Sequence, residues 1–202
     1  MKKLAALFMI LLVLSSTLLF AQAQKESGKS YVFAANCAWP PLEFVDENGD
    51  IVGFEIDLVN EIAKVNNVKI TIRNVAWEGI FAGLANGAYD AVASGVSVTE
   101  ERKATMDFST PIMVITQAIL APIADTSLSN TASLNGKTVG VQLGTTGHIF
   151  LDDFMKKNPS FKATIKAYDE IGFAIEDMLN GNLQAVVTDS VIASDFVLSN
   201  PN

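Results

Sequence analysis

Short β-rich runs alternate with amphipathic helical patterns along almost the whole chain, and that alternation leaves few folds open. Tyr31 to Ala35 reads as a strand, Phe54, Leu58, Val59, Ile62 and Val65 recur at helical spacing, and "VKITIRNV" is β-rich again. Trp77, Ile80, Phe81 and Leu84 then share one helical face that stops at Asn86-Gly87, before the strand "DAVASGVSV". Strand-helix-strand units of this length predict a parallel sheet with helices on its faces.

A second series follows the β-rich crossing segment "PIMVITQAILAP". "KTVGVQ" reads as a strand, His148 to Lys157 as a helix and "KATIKAY" as a strand. Ile171, Ala174, Ile175, Met178 and Leu179 give a helix stopped by Asn180-Gly181, and "LQAVVT" is the last strand. The two series share an echo. "ANGAYDAVAS" and "LNGNLQAVVT" place Asn86 and Asn180, and Ala91 and Ala185, each 94 positions apart. In that register Ser94-Gly95 and Thr188-Asp189 occupy equivalent strand ends, where open α/β sheets bind ligands. The expected architecture is two α/β lobes in tandem with a cleft between them.

Composition removes several functions. The 202 residues carry a formal net charge of −8, one His and one Cys. No clustered basic face suits nucleic acid, and neither a metal site nor a disulfide is indicated; no cofactor is expected. Cys37 reads as a small buried thiol. "MKKLAALFMILLVLSSTLLFAQAQ" has a positive start, an apolar stretch and the small-x-small Ala21-Gln22-Ala23, so residues 1–23 are expected to be a cleaved signal peptide. An uncleaved membrane anchor is the alternative, because Leu4 to Phe20 is close to the lower spanning length. Residues 24–30 form a polar tail.

Just beyond the expected strands lie Asn36, Trp39, Trp77, Ser94 to Ser97 with Arg102, Gly144-Thr145-Thr146-Gly147, and Thr188-Asp189. One cation, one anion, two aromatics and several small hydroxyl or glycine positions are the complement of a zwitterion with a side chain. Thr99 before Glu100-Glu101 predicts a helix cap, which puts Arg102 at the third helical position, in a turn that prefers anions. A bidentate fork holding a carboxylate accounts for an arginine there; the alternative is a surface pair with Asp107 or Glu101. Thr145 and Thr146 could offer backbone N–H groups to an anion or form a plain capped turn. Asp189 could hold an ammonium or cap "SVIASDFVL". Trp39 and Trp77 could flank a ligand or pack a core. His148 reads as a solvated helix start and Asp152-Asp153 as a polar helix face.

Four ordered stretches carry a family resemblance: "GFEIDLVNEIAK", "SVTEERKATMDFSTPI", "GKTVGVQLGTT" and "AVVTDSVIASDFV". From Tyr31 onward the chain resembles the extracellular solute-binding proteins of family 3, the polar amino-acid-binding components of bacterial ABC importers. The resemblance implies a type II periplasmic-binding-protein-like α/β fold, with lobe 1 over residues 31–113 and a hinge strand with lobe 2 over 114–202. It implies a periplasmic monomer that closes on a free amino acid and docks on an inner-membrane ABC permease. By motif, Arg102, the Thr146 amide and Ser97 would bind the α-carboxylate, and Asp189 with the Ser94 or Gly95 carbonyl the α-ammonium. Trp39 and Trp77 would sandwich the side chain, while Asn36 and Gln142 read its polar end. An amide at Asn36, where members selective for basic amino acids often carry an acid, leaves the ligand's charge open. Family chains continue past the region of "LSNPN", so this sequence is expected to be C-terminally incomplete. Two other readings share the fold, a prephenate or arogenate dehydratase and a sensory module. The dehydratase needs a general acid, for which Glu43 of "PPLEF" is the candidate, though it reads better as structural.

Overall fold

The computed structural model describes residues 28–200, so the expected signal peptide lies outside the described residues. The first half of the chain runs β1 (Ser30–Ala35), β2 (Ala38–Trp39), β3 (Glu43–Val45), β4 (Ile51–Val52), α1 (Phe54–Val65), β5 (Lys69–Asn74), α2 (Ile80–Ala85), β6 (Ala91–Val92) and α3 (Glu100–Lys103). The second half runs β7 (Gln117–Leu120), a 3-10 turn at Thr131–Leu134, β8 (Thr138–Gln142), α4 (Thr146–Lys157), β9 (Thr164–Tyr168), α5 (Ile171–Leu179), β10 (Ala185–Asp189) and α6 (Ser190–Ser199).

Two parallel arrangements result, as the alternation requires. β1 is the centre of a three-stranded sheet between β5 and β6, both parallel to it. β10 pairs parallel with β8 and antiparallel with β7, and β9 extends the sheet beyond β8. A small antiparallel meander, β2-β3-β4, sits beside the first sheet. Among the described residues no helix is long and apolar enough to cross a membrane.

The 94-residue echo is structural. Asn86 and Asn180 are the C-caps of α2 and α5, each followed by a glycine in the left-handed region, Gly87 at φ 70 and Gly181 at φ 80. Only glycine occupies that conformation without a Cβ penalty. Ala91 and Ala185 then open β6 and β10.

Five local expectations are corrected. "DAVASGVSV" forms a ladder only at Ala91–Val92, because beyond it side chains replace backbone partners: Asn36 N–H, past the end of β1, donates to Ser94 Oγ, and Gly95 N–H donates to Glu55. α1 buries Ile56 and Val59, while Phe54, Ile62 and Val65 face solvent. Its rotation is fixed at the N-terminus, where Phe54 and Glu55 amides donate to the Pro41 and Leu42 carbonyls and Gly53 lies so close to Leu42 that a Cβ would stand 2.3 Å from its carbonyl oxygen. Trp77 precedes α2 rather than lying on it, and Leu179 at the end of α5 is exposed. The helix expected from His148 begins at Thr146, since Thr145 caps it.

The second sheet holds the larger apolar core, with Leu134, Val139, Val141, Leu151, Phe161, Ala185 and Val187 in one cluster. Another cluster joins the two halves, packing Trp39 and Leu42 against Leu120, Ile171, Met178, Leu183 and Val186. Met113 and Ile115 of the crossing segment lie against it. These contacts set the carboxyl ends of β1, β8 and β10 around one space.

Candidate functional site

Eleven of the residues singled out from the sequence line that space, a solvent-open cleft of about 310 Å³. From the first half come Asn36 after β1, Trp39 on β2, Trp77 before α2, Ser94, Gly95 and Ser97 after β6, and Arg102 on α3. Gln142, Thr145, Thr146 and Asp189 face them from the second half. Tandem strand ends converge because both sheets point their carboxyl edges inward.

Arg102 sits where the sequence put it. Thr99 Oγ1 accepts the Arg102 amide at 3.1 Å, which makes Thr99 the N-cap and Arg102 the third helical residue. The surface pair with Glu101 or Asp107 does not form. The side chain is buried, and among the described residues no carboxylate lies within ion-pair distance of it. Its guanidinium donates to Ser97 O at 3.0 Å and to Gly144 O, across the cleft, at 3.4 Å. It also lies over the Phe81 ring at 4.8 Å and the Trp77 ring at 5.6 Å, contacts worth roughly 0.5–2 kcal/mol each. Burial pulls its pKa down, against Glu101 and Asp189. A desolvated cation with carbonyl partners alone has strong reason to take up an anion.

Thr145 Oγ1 accepts the His148 amide and donates to Gln142 O at 2.8 Å. The remaining first-turn amides, at Thr146 and Gly147, have no acceptor within their own helix and form an anion-attracting end beside the cleft. His148 is not simply solvated: its Nδ1 accepts the Gly144 amide at 3.2 Å and so pins the turn.

Asp189 occupies the N-cap position of α6 but does not cap it with its side chain. The carboxylate instead accepts from Gln117 Nε2 at 2.5 Å, and the same amide donates to Thr146 Oγ1 at 3.2 Å. Burial raises the Asp189 pKa, opposed by Gln117 and Arg102. Opposite charges, each held off from water, thus face one another across the cleft. Sequence reasoning missed Gln117; the signal was a lone amide in the apolar run "MVITQAIL".

At the other end, Asn36 and Gln142 are both buried. Asn36 Nδ2 donates to Val75 O, and Gln142 Nε2 donates to Asp169 O at 2.9 Å and weakly to Asn36 Oδ1 at 3.5 Å. Gln142 Oε1 has no donor among the described residues. A buried acceptor left open is costly, and here it belongs to a cleft-lining residue. Trp39 serves both uses weighed for it, as a cleft wall and as part of the cluster joining the halves. Trp77 stands edge-on to Phe81 at 5.1 Å. Cys37 is a buried free thiol, as expected. Glu43 is fully buried and is not among the lining residues, so the candidate general acid stands behind the wall. Among the described residues no cluster of potential metal ligands occurs.

The chain is similar to known proteins. A probable histidine-binding protein of Neisseria gonorrhoeae is 36% identical over 86% of the chain, and ABC transporter arginine-binding protein 1 of Escherichia coli is 31% identical over 84%. The chain spans 64% and 67% of the lengths of these relatives. An ancestral arginine-binding protein solved with arginine bound superposes with a TM-score of 0.82 at 36% identity, over 88% of this chain and 77% of that one. The two-lobed periplasmic-binding-protein-like fold implied by the four motifs is therefore the fold of this protein. Residues 31–181 match the family described as bacterial extracellular solute-binding proteins, family 3. A match over most of the chain, with relatives above 30% identity on the same lobes, establishes that the protein belongs to that family.

Proposed function

We propose that this protein captures a polar or basic amino acid between its lobes, residues 31–113 and 114–202, and delivers it to an inner-membrane ABC permease. The observation that carries the reading is Arg102, a buried guanidinium with no carboxylate partner among the described residues, faced by the buried carboxylate of Asp189. The α-carboxylate takes the Arg102 fork with the Thr146 amide and Ser97. The α-ammonium takes Asp189, which Gln117 orients, together with a carbonyl of Ser94 or Gly95. Trp39 and Trp77 flank the side chain. The open acceptor of Gln142 favours a side chain carrying N–H donors, the property shared by amide, guanidinium and imidazole groups.

Names of relatives support this ligand class, since they are called histidine- and arginine-binding proteins. Residues 1–23 carry the chain to the periplasm, where it works as a monomer without a cofactor. A dehydratase reading finds no support in the geometry, because Glu43 does not line the cleft. Thermal unfolding of the purified chain with each common amino acid in excess tests the proposal. Ligands that bind only the native state raise its midpoint, so histidine, arginine or glutamine should raise it. A cooperative transition that no amino acid shifts would sink the reading.

A further inference from the structure

Behind the cleft wall, outside the residues that would touch ligand, two carboxyl groups meet. Glu43 of β3 is 0% exposed, and Glu55 lies in the first turn of α1. Ser94 Oγ donates to Glu43 Oε1 at 2.9 Å while accepting the Asn36 amide at 2.9 Å. Glu55 Oε2 accepts the Gly95 amide at 2.7 Å. The other oxygen, Glu43 Oε2, has no donor among the described residues, and the adjacent residues Ser94 and Gly95 bring the two carboxyls to the same strand end.

Two carboxylates cannot both stay ionised in such a place, because burial disfavours each charge and each disfavours the other. Among the described residues no Lys, Arg or His lies within ion-pair distance of either. One proton resolves both problems, turning the orphan Glu43 Oε2 into a donor to Glu55. The charge settles on Glu55, which has the Gly95 amide and the N-terminus of α1 to stabilise it. Glu43 keeps the proton.

We propose that Glu43 and Glu55 share one proton and thereby fix the backbone of Ser94 and Gly95, which makes both carboxyls positioning residues for amino-acid capture. The proposal deepens the function proposed above and rests on it for the identity of the ligand. Burial first, and the charge of Glu55 second, push the Glu43 pKa up to about 9. Cys37, between β1 and β2, is the other titratable group facing Glu43, and its thiol is pushed up to about 11 by burial and by Glu43. Loss of the shared proton on the alkaline side of neutrality therefore sets two anions against each other and loosens the strand end that Ser94 and Gly95 form.

The test compares the wild-type chain with Glu43→Gln, whose amide keeps an acceptor for Ser94 and a donor for Glu55 without a titrating proton. In the ligand-free wild type, the amide resonances of Asn36, Ser94 and Gly95 should shift together in one alkaline titration, and in Glu43→Gln they should not. Calorimetry with L-arginine gives the second reading. The ligand's own ammonium titrates with both proteins and cancels in the ratio of affinities. That ratio, variant over wild type, should stay near one at neutral pH and grow up to about tenfold for each pH unit beyond the titration. Amides that shift alike in both proteins, or a flat ratio, overturn the proposal. If arginine binds neither protein, the function proposed above fails while the amide titration still decides the pair. Should Glu43→Gln not fold, the infrared band of a protonated carboxyl in the wild type carries the test. Its loss over the same pH range as the amide shift supports the pair, and its absence at neutral pH overturns it.

Discussion

Large apolar clusters cover both faces of the second sheet, with Val139, Val141, Leu151 and Ala185 wholly buried in one and Ala174, Met178, Leu183 and Val186 buried in the other. The first sheet divides its buried apolar residues, placing Ala34 with Ile80 and Tyr89 on one face and Ala35 with Cys37 and Ile56 on the other. Its remaining interior is polar, holding Glu43, Ser94, Asn36 and Arg102. Contact area therefore governs the second lobe, while protonation and hydrogen bonding govern much of the first. The lobe with the weaker apolar core carries most of the cleft.

Leu151→Ala should cost about 2–5 kcal/mol of stability, because it opens a cavity in a fully buried cluster. Ile62→Ser on the exposed side of α1 should stay within roughly 0.5 kcal/mol. Denaturant unfolding of both variants measures the contrast, and similar costs would mean that the first lobe packs more tightly than its burial indicates.

Next in size is Arg102→Ala. Removing a buried fork that would take the α-carboxylate should weaken amino-acid binding by roughly 3 kcal/mol, about a hundredfold. Stability should change far less, since the guanidinium gains only carbonyl and ring contacts against its desolvation. Calorimetry and unfolding on one preparation separate the two effects. A variant that unfolds without losing affinity would make Arg102 a structural residue.

The smallest effect is in pH dependence, and its sign should differ between the buried carboxyls of the first lobe and Asp177 of the second. Glu43 and Glu55 are raised above the ordinary 4.5 by burial. A raised carboxyl contributes stability that is fully present below its unfolded pKa and is lost as pH climbs, here from about 4.5 to about 9. Asp177 of the second lobe is held well below its ordinary 3.8, by Lys166 first, then Tyr168 and Asn182. Its contribution is present above that ordinary value and is lost as pH falls below it. Asp189, at the cleft, follows the sign of the first lobe because burial raises it. The alkaline slope of the unfolding midpoint should flatten in Glu43→Gln, and the acid slope should flatten in Asp177→Asn. The same slopes in the wild type and both variants would remove the distinction.

Much of this was legible in the chain. Helix ends at Asn86-Gly87 and Asn180-Gly181 were readable because glycine tolerates a backbone that other residues resist. Thr99 announced the cap that places Arg102. The errors share one origin. "DAVASGVSV" stops being a strand after Val92 because Glu55, 40 residues earlier, takes the Gly95 amide. α1 turns Ile62 to solvent because its N-terminus is seated on the Pro41 and Leu42 carbonyls. In each case a partner distant in sequence overrode a local pattern.

Short-range periodicity and turn chemistry suffice to set the alternation of strands and helices, the two tandem halves, and which residues stand at the strand ends. What those residues do with their hydrogen bonds was settled by packing. Asp189 turns to Gln117 instead of capping its helix, Arg102 is left without a carboxylate among the described residues, and Glu43 and Glu55 take hold of the neighbours Ser94 and Gly95 behind the wall. Those outcomes depend on which groups lose water together, and burial is a property of the packed chain that no local stretch contains.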